Sequence, residues 1–259
     1  MFSRKWFFGG LVLLLAIGLV TPAVLAADGS LDRVKKAGKL VIGVDDTYAP
    51  MEFRNEKGEL IGFDVDLARE IGKRLGVTVE WIPTEWNGVI LALNAKKFDI
   101  ILSAMSITPE REKQVNFSTP YLDMGQVVVV RANDKTINSP ADLAGKVVGT
   151  QLGSTSAEAA RTIPGIKELK EYPYFPEVFM DLGIGRTQAG VVDLLVANHY
   201  AQAQPDQFRV AFQIVPEPIG VAFRKADNSL REAIDKIVVD LINEGFIDQL
   251  SEQWLASED

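Results

Sequence analysis

The chain contains no cysteine and one histidine, His199. The first absence excludes disulfides, thiol nucleophiles and every zinc site that needs a thiolate. It also excludes a lipid-modified N-terminal cysteine as a membrane anchor. A chain of 259 residues buries enough core to fold without cross-links. No GxxxxGK[S/T] phosphate loop occurs, so the chain itself is not read as a nucleotide hydrolase. Internal repeats and low-complexity segments are missing too. After residue 26 there is no second long uncharged apolar run.

The one such run lies at the start. Arg4 and Lys5 precede Trp6 to Ala26, a stretch without charge that includes Leu11 to Leu15, is broken by Pro22 and ends in Val24-Leu25-Ala26. A basic start, an apolar centre and small residues at its end have the layout of a secretory signal. The alternative is an uncleaved anchor, since about 20 apolar residues can span a bilayer. Pro22 and the small residues favour cleavage after Ala26. With no cysteine for a lipid anchor, the expected product is soluble and diffuses in a periplasm. Arg4 and Lys5 are the only charges of that segment, so the remaining 233 residues carry 25 Lys+Arg against 35 Asp+Glu, a formal −10 against −8 for the whole chain. Such a surface repels nucleic acid and anionic lipid.

Short β-prone runs alternate with amphipathic helical stretches. The runs are 40–44, 79–82, 99–103, 127–131, 147–150, 190–194 and 220–224. This alternation predicts α/β layers around parallel strands. Phe63, Leu67, Ile71 and Leu75 form one helical face, with Asp64 as a possible cap and Gly76 as its stop. A second helix is expected after Asn87, with Lys96 and Lys97 at its negative end. A third is expected at Ser139-Pro140, and a long one over 230–255, interrupted at Asn243-Glu244-Gly245. Tyr121 to Gly125 and Val215 to Gly220 read as crossings between two lobes. The expected division is 1–26 signal peptide, 27–123 with 216–259 as lobe 1, and 124–215 as lobe 2.

From about Leu31 to Leu255 the sequence resembles the polar amino-acid-binding proteins of ABC importers, solute-binding protein family 3, whose fold is that of type II periplasmic binding proteins. The resemblance rests on Tyr48-Ala49-Pro50-Met51-Glu52-Phe53 and Gly62-Phe63-Asp64-Val65-Asp66-Leu67-Ala68. It continues through Ser106-Ile107-Thr108-Pro109-Glu110-Arg111 and Val115 to Tyr121, then Gly149 to Ser156, and Gly185-Arg186 with Val191-Val192-Asp193. In the last segment the sequence departs from the family pattern, with Gln188 in place of Asp and Leu195 in place of Pro.

The resemblance implies a ligand-binding set, and each member also has a reading from its chemistry. Arg111 offers a planar fork that pairs bidentately with a carboxylate; spacing alone favours one charge of a solvated helix start beside Glu110, Glu112 and Lys113, and the resemblance favours the fork. Ser154, Thr155 and Ser156 precede a helix, where hydroxyls and free N–H groups hold an anion or merely cap. Asp193 ends a strand, the place where α/β sheets bind ligands, and would hold an α-ammonium; a helix cap is its alternative. Tyr48 and Trp86 would sandwich the ligand side chain, whereas Phe53, Phe63 and Phe98 read as core. Ser103, Ala104 and Ser106 would give backbone and hydroxyl contacts, and Met105 would pack against ligand or lobe. Asp45 would meet the far end of a cationic or amide side chain, or else be a loop carboxylate beside Asp46. A carboxylate plus an aromatic face suits arginine or lysine first and glutamine second.

The resemblance therefore implies a monomer that takes a free amino acid and delivers it to the permease and ATPase subunits of an importer. It needs no cofactor and no metal. Two other functions stay open. Some proteins of this fold are cyclohexadienyl dehydratases, but His199 reads as a surface or cap residue and the clamp leaves no spare acid. A ligand-sensing module would require a membrane span and signalling domain beyond residue 255.

Overall fold

The computed structural model describes residues 28–256; the expected signal peptide lies outside them. In chain order the elements are α1 (Ser30–Ala37), β1 (Lys39–Val44), β2 (Thr47–Tyr48), β3 (Glu52–Arg54), β4 (Leu60–Ile61), α2 (Phe63–Leu75), β5 (Thr78–Pro83), α3 (Val89–Asn94), β6 (Ile100–Ile101), α4 (Pro109–Glu112) and β7 (Val115–Phe117). They continue with β8 (Leu122–Arg131), β9 (Val147–Gln151), α5 (Thr155–Thr162), β10 (Glu168–Tyr172), α6 (Phe175–Gly183), β11 (Ala189–Asp193), α7 (Leu194–Ala203), β12 (Phe208–Ile219), β13 (Ala222–Arg224), α8 (Asn228–Asn243) and α9 (Phe246–Trp254). Among the described residues no helix is long and apolar enough to cross a membrane.

These elements build two α/β lobes. One holds a five-stranded sheet in the order β5-β1-β6-β13-β7, the other a sheet in the order β10-β9-β11-β8-β12, and β2-β3-β4 form a small antiparallel sheet. In the first sheet β1 runs parallel to β5 and β6. In the second β9 runs parallel to β10 and β11. The chain passes between sheets through β8 and β12, antiparallel neighbours over their whole length, from Phe208 opposite Arg131 to Ile219 opposite Leu122. Gly125 (φ 146°) is required in this pair, because a Cβ there would stand 2.0 Å from the Val215 carbonyl oxygen.

Local chemistry explains the elements. On α2, Phe63, Leu67 and Ile71 are buried at helical spacing, each such side chain contributing about 1.5–3 kcal/mol of burial. Gly76 closes the helix in the left-handed conformation (φ 75°). Gly245 (φ 75°) separates α8 from α9.

The structure differs from the expectations in four places. Asp64 does not cap α2, whose N-cap is Gly62; its carboxylate is turned into the lobe. The run 99–103 yields only the two-residue β6, because the chain then leaves the sheet at Ala104 (φ 44°). The Ser139-Pro140 signal produces one 3₁₀ turn, Pro140–Leu143, and Trp86–Gly88 forms another ahead of α3. The stretch 215–220 largely belongs to β12; its Pro216 and Pro218 are tolerated because that strand lies at a sheet edge.

Candidate functional site

The parallel strands of both sheets end toward one another, and their carboxyl ends carry the polar residues. Asp45 follows β1, Ser103 to Ser106 follow β6, Ser154 to Ser156 follow β9, and Asp193 ends β11. Tyr48 ends β2, Trp86 opens the 3₁₀ turn before α3, and Arg111 lies on α4. All eleven residues singled out in the sequence are buried, and the structure brings them to the facing edges of the two lobes.

Apart from contacts of the crossing strands β8 and β12, three hydrogen bonds join the lobes among the described residues. The Tyr48 hydroxyl donates to Asp193 Oδ2 at 2.5 Å. Gln151 Nε2 donates to Asp45 Oδ2 at 2.7 Å. The Ser106 and Thr155 hydroxyls meet at 3.4 Å. A fourth close approach is steric: a Cβ on Gly153 (φ 74°) would lie 2.8 Å from Asn87 Oδ1 and 3.0 Å from Asn87 Cα.

Arg111 is buried, yet its guanidinium forms one hydrogen bond, from Nη1 to the Ser106 carbonyl oxygen at 3.1 Å. Its Cζ stands 5.4 Å above the Trp86 ring. No carboxylate of the described residues lies within salt-bridge distance of it. Burial pushes the guanidinium below its ordinary pKa, opposed by the attraction of Asp193. Its backbone is fixed by Thr108, whose hydroxyl caps α4 by accepting from Arg111 N. With Trp86, Asn87, Met105, Gln114 and Gly153 it lines a cavity of about 220 Å³. Larger cavities, about 430 Å³ against α6 and α7 and about 590 Å³ beside β7, hold none of these residues; charge and polarity, rather than volume, mark the candidate site.

Asp193 is the opposite pole. It occupies the N-cap position of α7 but makes no side-chain cap bond. Instead Oδ1 accepts from Ser156 Oγ at 2.7 Å while Oδ2 takes the Tyr48 hydroxyl. Burial raises its pKa, opposed by these two bonds and by Arg111. Asp45 is also raised by burial; its Oδ1 accepts from Thr47 N and Oγ1 at 3.1 and 2.6 Å. Ser154 caps α5, accepting from Ala157 N and donating to the Gln151 carbonyl oxygen. Thr155 Oγ1 accepts from Gln126 Nε2 at 2.9 Å, and that amide also reaches Glu217 on β12. Ala104 donates its N–H to Asp64 at 2.7 Å. Met105 and Trp86 pack in one cluster with Val89, Leu93 and Phe98, so Met105 is core of its lobe. Phe53, expected in the core, is half-buried and packs on the His199 ring at 5.9 Å; His199 is neither a cap nor a free surface residue. Gln126, Gln151, Glu217 and the Asn87–Gly153 approach had no signal in the sequence.

Comparison with known proteins agrees with this fold. The profile of bacterial extracellular solute-binding proteins, family 3, matches residues 40–257. The L-cystine-binding protein TcyJ of Escherichia coli (strain K12) is 33% identical over 99% of this chain and 97% of its own length. A mutant of ArgBP from T. maritima superimposes with TM-score 0.83 at 38% identity, over 87% of this chain and 99% of that one. The ancestral amino acid-binding protein AncCDT-1, a precursor of cyclohexadienyl dehydratase, gives TM-score 0.83 and 38% identity over 88% of this chain and 100% of that one.

Proposed function

The chain belongs to the bacterial extracellular solute-binding proteins of family 3, and from that premise we propose that it captures a basic L-amino acid between its lobes, arginine or lysine before glutamine, and delivers it to an ABC importer. That it is a solute-binding protein for amino acids follows from the family and its relatives. The observation that carries the finer reading is the pair of buried, opposite poles, Arg111 and Asp193. Arg111 keeps donors for an α-carboxylate, with Ser106 and Thr155 beside it; Asp193 is the acceptor for an α-ammonium. Both ligand charges would be matched, as their desolvation demands. Asp45 and the Trp86 face supply the side-chain end.

The lobes are assigned as 27–123 with 216–259, and 124–215, with β8 and the end of β12 as the hinge. Ligand docks on Arg111, Tyr48 and Trp86, and closure adds Thr155 and Asp193. Closure requires contacts present only in the closed form, and the Asp45–Gln151 bond is one. The protein acts in the periplasm after cleavage behind Ala26, as a monomer whose partners are the permease and ATPase subunits. Binding rather than catalysis is supported by relatives named as binding proteins and by the placement of Glu52 and Asp64 within lobe 1 instead of at its facing edge.

Likeness to the L-cystine-binding protein supports a second ligand, because cystine would bring a second ammonium to Asp45. Calorimetric titration of wild type and Asp45→Asn with arginine, lysine, histidine, glutamine, glutamate and cystine tests both. The basic-ligand reading expects arginine or lysine to bind most tightly and to lose at least tenfold on Asp45→Asn. Preference for glutamate or an apolar amino acid contradicts it, and preference for cystine selects the second ligand.

A further inference from the structure

We infer that Glu52 and Asp64 are a buried acid pair that holds one proton beneath the Ser103–Ser106 segment and positions that segment for the ligand. The positioning role rests on the amino-acid reading; the shared proton does not.

Glu52 opens β3 and Asp64 lies in the first turn of α2, and both are sealed from solvent. Each spends one oxygen on the ligand shelf. Asp64 Oδ2 accepts from Ala104 N at 2.7 Å and from the Tyr121 hydroxyl at 3.0 Å. Glu52 Oε1 accepts from Ser103 Oγ, which in turn accepts from Asp45 N at 3.1 Å. The other oxygens, Glu52 Oε2 and Asp64 Oδ1, are buried with no hydrogen-bond partner among the described residues.

The charged and titratable groups facing Glu52 are Asp64 from α2, Asp45 and Asp46 from the loop after β1, Tyr48 from β2, and Tyr121. None is cationic. Two bare carboxylates in such a volume would be desolvated and would repel, so one keeps its proton. Burial raises Asp64 to about 7; two donors, one of them a backbone N–H, oppose that rise by favouring its charged form, whereas Glu52 receives a single hydroxyl. The proton therefore resides on Glu52, on the oxygen left free. Burial, then the neighbouring Asp64, push Glu52 well above the ordinary glutamate range. The remaining charge, on Asp64, anchors Ala104 N and so holds a non-glycine residue at φ 44°, a conformation that an L side chain rarely adopts unaided.

The sign of the linkage follows. A folded state that keeps a proton the unfolded chain releases loses stability as pH rises above about 4.3. Urea unfolding of the purified protein, without amino acid, should therefore show wild-type stability falling relative to Glu52→Gln from pH 5 to pH 8, by about tenfold in the folding constant per pH unit while one proton is at stake. Parallel pH profiles would overturn the shared proton. Should Glu52→Gln fail to fold, infrared spectroscopy of wild type at pH 7 decides: a protonated-carboxyl C=O band is expected, and its absence overturns the inference. For positioning, L-arginine is titrated at pH 7. Glu52→Ala should weaken binding at least tenfold and Glu52→Gln, the isostere of the protonated acid, should recover most of it; a Gln variant as poor as Ala contradicts the role. If arginine does not bind wild type, the basic-ligand reading fails while the unfolding and infrared measurements still decide the acid pair.

Discussion

Lobe 1 buries two arginines, and the fold treats them oppositely. Arg224, on β13, is consumed by its own chain: Nη1 donates to the Leu93 and Phe98 carbonyl oxygens at 2.9 and 2.5 Å, and Nη2 pairs with Asp227 at 2.5 Å and Asp99 at 3.8 Å. Arg111, buried to a similar degree, has one carbonyl oxygen and the face of Trp86. A buried charge without a counter-charge costs free energy. The lobe bears that cost at its facing edge and avoids it on the far side of the sheet. One arginine holds structure together; under the proposed function the other keeps its donors for a ligand.

Exchanging each for alanine tests this division most sharply. Arg111→Ala should leave the melting temperature nearly unchanged while losing on the order of 10²–10³ in amino-acid affinity, since removing one partner of a buried pair costs about 3–5 kcal/mol. Arg111→Lys should recover only part, because an ammonium does not reproduce the bidentate fork. Arg224→Ala should do the reverse: it leaves Asp227 with the half-exposed Arg33 at 3.5 Å in place of its 2.5 Å partner, and lowers stability by about 3–5 kcal/mol in urea titration. Equal loss of stability in both variants would break the comparison.

A smaller effect sharpens it. If Arg111 works only when lobe 2 closes over it, a wedge that leaves its side chain unaltered should weaken binding too. Gly153→Ala adds a Cβ against Asn87 at a backbone angle that disfavours side chains. Affinity should fall about tenfold with little change in denaturant midpoint, and small-angle scattering with ligand should show a more open molecule than wild type. Wild-type affinity in Gly153→Ala would show that the Asn87–Gly153 approach plays no part in closure.

The alternating pattern made β1, β5, β6, β9, β11 and β13 legible within a residue or two, because a buried strand needs a short apolar run and the intervening helices need one apolar face; β2, β3, β4, β7, β10 and β12 gave no such run. The misreadings have local physical causes. Pro216 and Pro218 hide the strand character of this crossing until the strand is known to lie at an edge. Asp64 resembles a cap until Ala104 N arrives from 40 residues away. The candidate binding residues stood out only through resemblance; spacing alone favoured Arg111 as a surface charge over a ligand clamp. Gln151 was illegible because its partner Asp45 stands 106 residues distant on the other lobe, and a glutamine at a strand end has no distinctive pattern. Arg224 drew no attention either, for its carbonyl partners are set by tertiary packing.

The central claim is that Arg111 and Asp193 read the two charges every free α-amino acid carries. The most direct test is calorimetric titration of the wild-type protein with arginine, lysine, glutamine and cystine, and then, for the one that binds, with the same molecule esterified at its α-carboxylate or acetylated at its α-amino group. The account predicts tight binding of the free amino acid and at least a hundredfold loss for either blocked form. Equal affinity for the ester would contradict the role of Arg111, and equal affinity for the acetylated form that of Asp193.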